Sequence, residues 1–155
     1  MLLNIFSIEN KKPNWSENAF SIYKKRFDNS IEIQWINLKP EKKVKSSNKQ
    51  IVFKKESLKL LDSVGNKEII VSLDKKGSIW NTHELKEKFE EWKSSSQDIS
   101  FLIGGAYGLS SECLKRSDET WSLSPLTFPH SMVPVLVIEQ LYRVWSISKN
   151  HPYHK

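Results

Sequence analysis

The chain has a single cysteine, Cys113, among its 155 residues. One thiol excludes an internal disulfide and any cysteine-rich metal centre. Histidine is also sparse. His83, His130, His151 and His154 are the four, and they make no recognised zinc-binding spacing, so no metal is expected. Five glycines and six prolines are too few for a collagen-like or low-complexity chain. No apolar run approaches the ~18–20 residues that a membrane span needs. Residues 1–8 are apolar but lack a basic head, and Glu9 and Lys11 follow too soon for a secretory signal. They are expected to form the first strand of a cytoplasmic protein. What is present is an ordinary globular mixture, 38% hydrophobic and 27% charged. That suits one domain, 1–155, with a sizeable core.

The formal net charge is +6. A basic protein of this size often meets a polyanion, although such a surface serves solubility equally well. The distribution favours a partner. Lys39, Lys42, Lys43, Lys45 and Lys49 crowd one polar stretch between two apolar segments. That stretch reads as a mobile loop able to grip phosphates without reading bases.

Periodicity predicts strands alternating with helices. Residues 2–8 form a strand. Pro13 and Asn14 open a helix, with Asn14 and Glu17 as a capping box and Trp15, Ala19, Tyr23 and Phe27 as its apolar face. Ile31, Ile33 and Trp35 alternate with polar residues as a half-exposed strand. A helix over 51–64 ends at Gly65. A buried strand follows over 68–73, then a helix capped by Thr82 with Leu85, Phe89 and Trp92 on one face. Residues 99–103 form the next strand. A helix over 110–120, a short strand at 121–123 and a helix over 131–148, with Ser131 as its cap, complete the order. The class is α/β with a mainly parallel sheet and helices on both faces.

Two irregular segments then stand out. Gly104, Gly105 and Gly108 follow a strand and precede a helix, where glycine lets backbone approach a ligand. The spacing is neither the dinucleotide fingerprint nor a P-loop, and a plain strand-to-helix turn accounts for it as well. Leu123, Ser124, Pro125, Leu126, Thr127 and Phe128 offer backbone donors and acceptors between apolar side chains, which suits an adenine. A buried loop held by Ser124 and Thr127 is the competing account.

Taken in order, four words resemble the ribosomal RNA large-subunit methyltransferase H family of the SPOUT class. They are Leu-Ile-Gly-Gly-x-x-Gly-Leu at 102–109, Leu-Ser-x-Leu-Thr-Phe-Pro-His at 123–130, Glu139 with Leu141-Tyr142-Arg143, and the terminal Pro-Tyr-His-Lys. The resemblance implies a C-terminal trefoil knot, a homodimer, and S-adenosylmethionine bound at Leu73, Gly104 and 123–128. It also implies methylation of N3 of a pseudouridine in a 23S rRNA stem-loop on the ribosome. Two positions depart from the pattern: Pro134 stands where the family usually has Arg, and Glu9 where it tends to have Gly. A non-catalytic RNA-binding or assembly factor with this fold, or a SPOUT enzyme acting on tRNA, are the alternatives.

For such chemistry the imide nitrogen must lose a proton, and a methyl donor must be held about 3–3.5 Å from it. Arg143 and Lys155 offer positive charge, His154 a proton acceptor, and Tyr153 an aromatic face for an extruded base. The bland readings are that Tyr142 is helix core, that Arg143 pairs with Glu139 four residues earlier, and that the tail is disordered. The last helix, with Val135, Ile138, Leu141, Val144 and Trp145, is expected to supply an apolar dimer face.

Overall fold

The computed structural model describes residues 1–42 and 49–154. Lys43, Lys45 and Lys155, named above as candidate contacts, lie outside them. The described elements are β1 (Leu2–Ile8), α1 (Asn14–Lys24), β2 (Glu32–Leu38), α2 (Lys49–Asp62), β3 (Ile69–Ile79), α3 (Thr82–Ser95), β4 (Ile99–Ile103), α4 (Ser111–Arg116), β5 (Glu119–Ser122) and α5 (Val133–Ser148), the last preceded by a 3-10 turn at His130–Met132. The strands make one sheet in the order β2-β1-β4-β3-β5, and every neighbouring pair is parallel.

β4 is the central strand, and its sequence explains why. All five residues of Ile-Ser-Phe-Leu-Ile are buried, as a parallel strand covered on both faces requires. Its side chains divide between two cores. On one face Phe20 of α1, Leu85, Phe89 and Trp92 of α3, and Val137, Ile138 and Leu141 of α5 pack with Leu3, Ile5, Val71 and Phe101. On the other, Leu60 and Leu61 of α2 and Cys113 of α4 pack with Phe6, Ile8 and Leu102. The expected α/β class with helices on both faces is therefore what the chain adopts.

Several local expectations are corrected. Pro13, not Asn14, occupies the N-cap of α1, and no side chain caps it. The buried residues of α1 are Ser16 and Phe20, and Trp15 is half exposed, so the apolar face is one residue out of phase with the expected one. α2 begins at Lys49 and stops at Asp62. Gly65 does not take a left-handed conformation there; Lys67 does, at φ 83. Asn81 rather than Thr82 caps α3, accepting from the backbone N–H of His83 and Glu84 in a full capping box. α4 spans only six residues, capped by Ser110. Ser131 lies in the 3-10 turn and Met132 precedes α5.

Pro134 is the second residue of α5. Its missing N–H has no helical partner at that position, so the helix accommodates it as expected. The apolar residues of α5 serve the chain's own core: Ile138, Leu141 and Val144 are fully buried and Trp145 is 8% exposed. They leave little for a dimer face, and that argument for a homodimer falls.

The topology places the site. α1 leaves β1, and α3 leaves β3, toward the first core. α4 leaves β4 toward the second. The exit from β4 therefore opposes the exits of both its neighbours, and a crevice opens on each side of its carboxyl end. In open α/β sheets such switch points are where ligands bind.

Candidate functional site

The first crevice, between β4 and β3, is a cavity of about 440 Å³. Leu73 comes to it from β3, Gly104 from the end of β4, and Leu123, Ser124, Leu126, Thr127 and Phe128 from the loop after β5. Seven of the eight expected cofactor residues thus share one wall. Pro125 is outside the lining. Trp121, Ser122, Asp74, Tyr107 and His130 also line it, and sequence reasoning does not single them out for this role. His130 stands inside one of the recognised words, which is the available signal.

The glycine turn is tight. The Gly108 N–H donates to the Gly105 carbonyl at 2.9 Å, and Gly108 takes φ +79. A Cβ on Gly104 would meet the Gly108 carbonyl, and would lie 2.9 Å from the Leu109 nitrogen. Glycine is therefore required for the turn to close over the cavity. A second close approach fixes the far wall. At Gly77 a Cβ would stand 2.6 Å from the Thr120 carbonyl oxygen, where the register between β3 and β5 shifts.

The 123–128 loop leaves donors unused. The Leu126 N–H donates to Ser124 Oγ at 3.0 Å, and Ser122 Oγ donates to the Ser124 carbonyl. Among the described residues the N–H groups of Ser124, Thr127 and Phe128 have no protein partner. Backbone donors held beside Leu73, Leu123 and Phe128 fit a ligand with a polar edge and apolar faces. The residues present therefore fit an adenosyl group.

His130 stands in the wall between the two crevices. Its Nε2 is 2.9 Å from the Ile8 carbonyl. A carbonyl only accepts, so Nε2 carries the proton and Nδ1 is left as the acceptor of the neutral ring.

In the second crevice, between β1 and β4, Glu9 is half-buried with its Oε2 enclosed and unpartnered. Burial raises its carboxyl above the usual glutamate value, against the opposing pull of His130 and Lys12. A raised folded-state pKa favours the native state below the ordinary value, and that contribution is lost as pH rises through the raised one. Glu9→Gln stays neutral throughout. It is expected to melt higher than the parent at pH 7 and equally near pH 4, which thermal unfolding at the two pH values checks. A parent that melts higher at pH 7 contradicts the assignment.

The three residues expected to be catalytic are brought together, but away from the cavity. Asn150, at φ 52, turns the chain back after α5, and Tyr153 packs on Tyr142 with ring centroids 4.8 Å apart. Tyr153 donates from its hydroxyl to Glu139 Oε1 at 3.0 Å, and the Tyr23 hydroxyl lies 3.1 Å away. Burial, then these two hydrogen bonds, push the Tyr153 hydroxyl well up, so it stays protonated. Arg143 pairs with Glu139, lies over the Tyr153 ring at 5.0 Å, and has Nη1 3.4 Å from His154 Nδ1. Tyr142 is 3% exposed. The pairing of Arg143 and the core role of Tyr142 are thus both present. Val133, at the opposite end of α5, lines the cavity. Ten residues of helix separate it from Arg143, about 15 Å at 1.5 Å per residue.

Together these features define an α/β protein that holds ligands in crevices flanking one central parallel strand, under a glycine-tight turn. A family model described as "Predicted SPOUT methyltransferase" matches residues 1–154. The chain belongs to the SPOUT methyltransferase family, whose methyl donor is S-adenosylmethionine. Among solved structures it is similar to a probable methylase family protein from Haemophilus influenzae Rd KW20, at 13% identity and a TM-score of 0.61, covering 99% of this chain and 70% of that one. At that identity the likeness is one of fold. No helix among the described residues is long and apolar enough to cross a membrane.

Proposed function

We propose that this chain is a homodimeric, S-adenosylmethionine-dependent methyltransferase acting on N3 of a pseudouridine in large-subunit rRNA. The observation that carries the reading is the convergence of three distant words, at 73, 104–109 and 122–128, on one cavity. Support for the finer target comes from the order of those words with Glu139, Arg143, Tyr153 and His154. The trefoil knot belongs to the same proposal. It is supported by the path after β4, which crosses β3 to reach β5 on its far side.

S-adenosylmethionine, when bound, supplies a methyl group already activated by a sulfonium charge. The chain's own task is to position and to stabilise. Leu73, Leu123 and Phe128 give apolar cover, and the free N–H groups of Ser124, Thr127 and Phe128 meet the adenine edge. Asp74 and Lys75, also in the lining, present a carboxylate and an ammonium to the amino-acid end. Arg143 stabilises the negative charge that develops as the imide nitrogen loses its proton, and His154 accepts that proton. The 15 Å of helix between this cluster and the cavity, at about 1.5 Å per residue, means that one chain cannot do both. The tail therefore serves the cavity of a second copy, which is the argument for the homodimer.

The test is to incubate the protein with methyl-labelled S-adenosylmethionine and ribosomes, free subunits or tRNA, and identify the labelled nucleoside after digestion. Label in an N3-methylated pseudouridine from the large subunit is expected. Label in tRNA, or none, overturns the target.

Approach to RNA is electrostatic in this reading. Replacing Lys42, Lys43 and Lys45 by Ala is expected to weaken ribosome binding and flatten its salt dependence. The log–log slope falls by about 0.7–0.9 for each phosphate that is no longer neutralised. An unaltered slope means that this stretch faces away from RNA.

A further inference from the structure

The second crevice is a cavity of about 610 Å³ whose walls include Ile8, Glu9, Lys11, Lys42, Glu56 and Gly105. It shares Ala106 and His130 with the cofactor cavity. Only one turn of backbone separates a ligand in one from a ligand in the other. β4 makes both crevices by the same reversal of direction, so the second has the same topological standing as the first.

Two carboxylates in its walls are incompletely satisfied. Glu56 is 4% exposed. Its Oε1 accepts from the Glu41 N–H at 3.0 Å. Its Oε2 stands against Gly105, where a Cβ would come within 2.5 Å of it, and no hydrogen bond reaches it among the described residues. Glu9 Oε2 is enclosed and accepts nothing. A buried carboxylate oxygen without a donor is costly, and ionised carboxylates accept only. A ligand completing this cavity must bring N–H or O–H donors at two places. Lys11 and Lys42 add ammonium groups to the same walls, which suits a phosphate. A nucleotide whose base carries two ring N–H groups has this pattern. Uridine has one, at N3, because its N1 bears the ribose. Pseudouridine is joined through C5 and keeps both N1–H and N3–H.

We propose that the second cavity receives the acceptor nucleotide, and that Glu9 accepts the N1–H by which pseudouridine differs from uridine. The inference rests on the rRNA reading above and extends it to selection of the base. With N1–H on Glu9, the N3 edge is left to the wall shared with the cofactor cavity. Uridine places a C–H at the corresponding corner and leaves Glu9 unpaired, which a site built around a hydrogen bond rejects.

Three RNA hairpins test this, identical except for pseudouridine, uridine or N1-methylpseudouridine at one loop position. Their affinities are measured by fluorescence anisotropy with S-adenosylhomocysteine present, and the affinity of S-adenosylhomocysteine itself is measured by calorimetry in parallel. The pseudouridine hairpin is expected to bind roughly 10-fold tighter than either of the others. In Glu9→Ala that ratio is expected to fall to about one, with the affinity for S-adenosylhomocysteine unchanged. The N1-methyl comparison uses the unaltered protein, so it decides the matter even where Glu9→Ala fails to fold. Equal binding of all three hairpins, or binding of none, overturns the inference while leaving the cofactor cavity standing. Failure of S-adenosylhomocysteine to bind overturns the underlying reading and the inference with it.

Discussion

Gly104→Ala is expected to weaken S-adenosylmethionine binding by about 10- to 100-fold, the equivalent of the 1–3 kcal/mol that forcing one extra methyl into a packed site costs. The size of the effect follows from what the new methyl meets. It would press on the Gly108 carbonyl and on the Leu109 nitrogen at 2.9 Å, and backbone cannot rotate out of the way as a side chain can. The 105–108 turn must move, and Gly104, Ala106, Tyr107 and Gly108 all line the cavity. Calorimetry on the folded variant checks this, with circular dichroism as the control for fold. Parent-like affinity places the cofactor elsewhere.

Truncation after Asn150 is expected to lower methyl transfer by about 10²-fold or more, the range for removal of a general acid–base group, with cofactor affinity unchanged. The cavity keeps all its lining, because residues 151–154 contribute nothing to it. The truncated chain is also expected to melt lower, since Tyr153 packs on Tyr142 and bonds to Glu139. Tyr153→Phe keeps the ring and removes only the hydroxyl, so it separates packing from chemistry. Mixing the truncated chain with Gly104→Ala goes further. A mixed dimer pairs one intact cavity with the other copy's intact tail, and random exchange restores about a quarter of parent activity if tails act across the dimer. Mixtures no more active than their components contradict that arrangement.

Much of the fold is legible because buried parallel strands write themselves as apolar runs. The strand boundaries expected at 2–8 and 99–103 coincide with those observed. The second half of β3 is not legible. Residues 74–79 read Asp-Lys-Lys-Gly-Ser-Ile, and beyond Leu73 the strand pairs only with β5, so it carries no apolar alternation. The expected cap of α3 misses Asn81 by a single residue, because two polar residues compete for one position. α5 misleads for a different reason. Its apolar residues suggest a surface for a second copy, and periodicity cannot tell which face the chain's own α1 and α3 will cover.

The candidate site divides along the same line. The cofactor wall is readable because its residues lie in short words close to strand ends. The second cavity is not. It joins Glu9, after β1, to Glu56 on α2 and Gly105 after β4, and no stretch of sequence contains that constellation. Arg143, Tyr153 and His154 stand near one another in the sequence, and the fold keeps them together. Their distance from the cavity becomes visible only once α5 is seen to run between them.

The most direct measurement of the central claim is the structure of this protein crystallised with S-adenosylhomocysteine. The account predicts the adenine against Leu73, Leu123 and Phe128, with its edge on the backbone N–H groups of Ser124, Thr127 and Phe128 and the ribose beneath the Gly104–Gly108 turn. Density for the ligand in the β1–β4 crevice, or anywhere away from that turn, would contradict it.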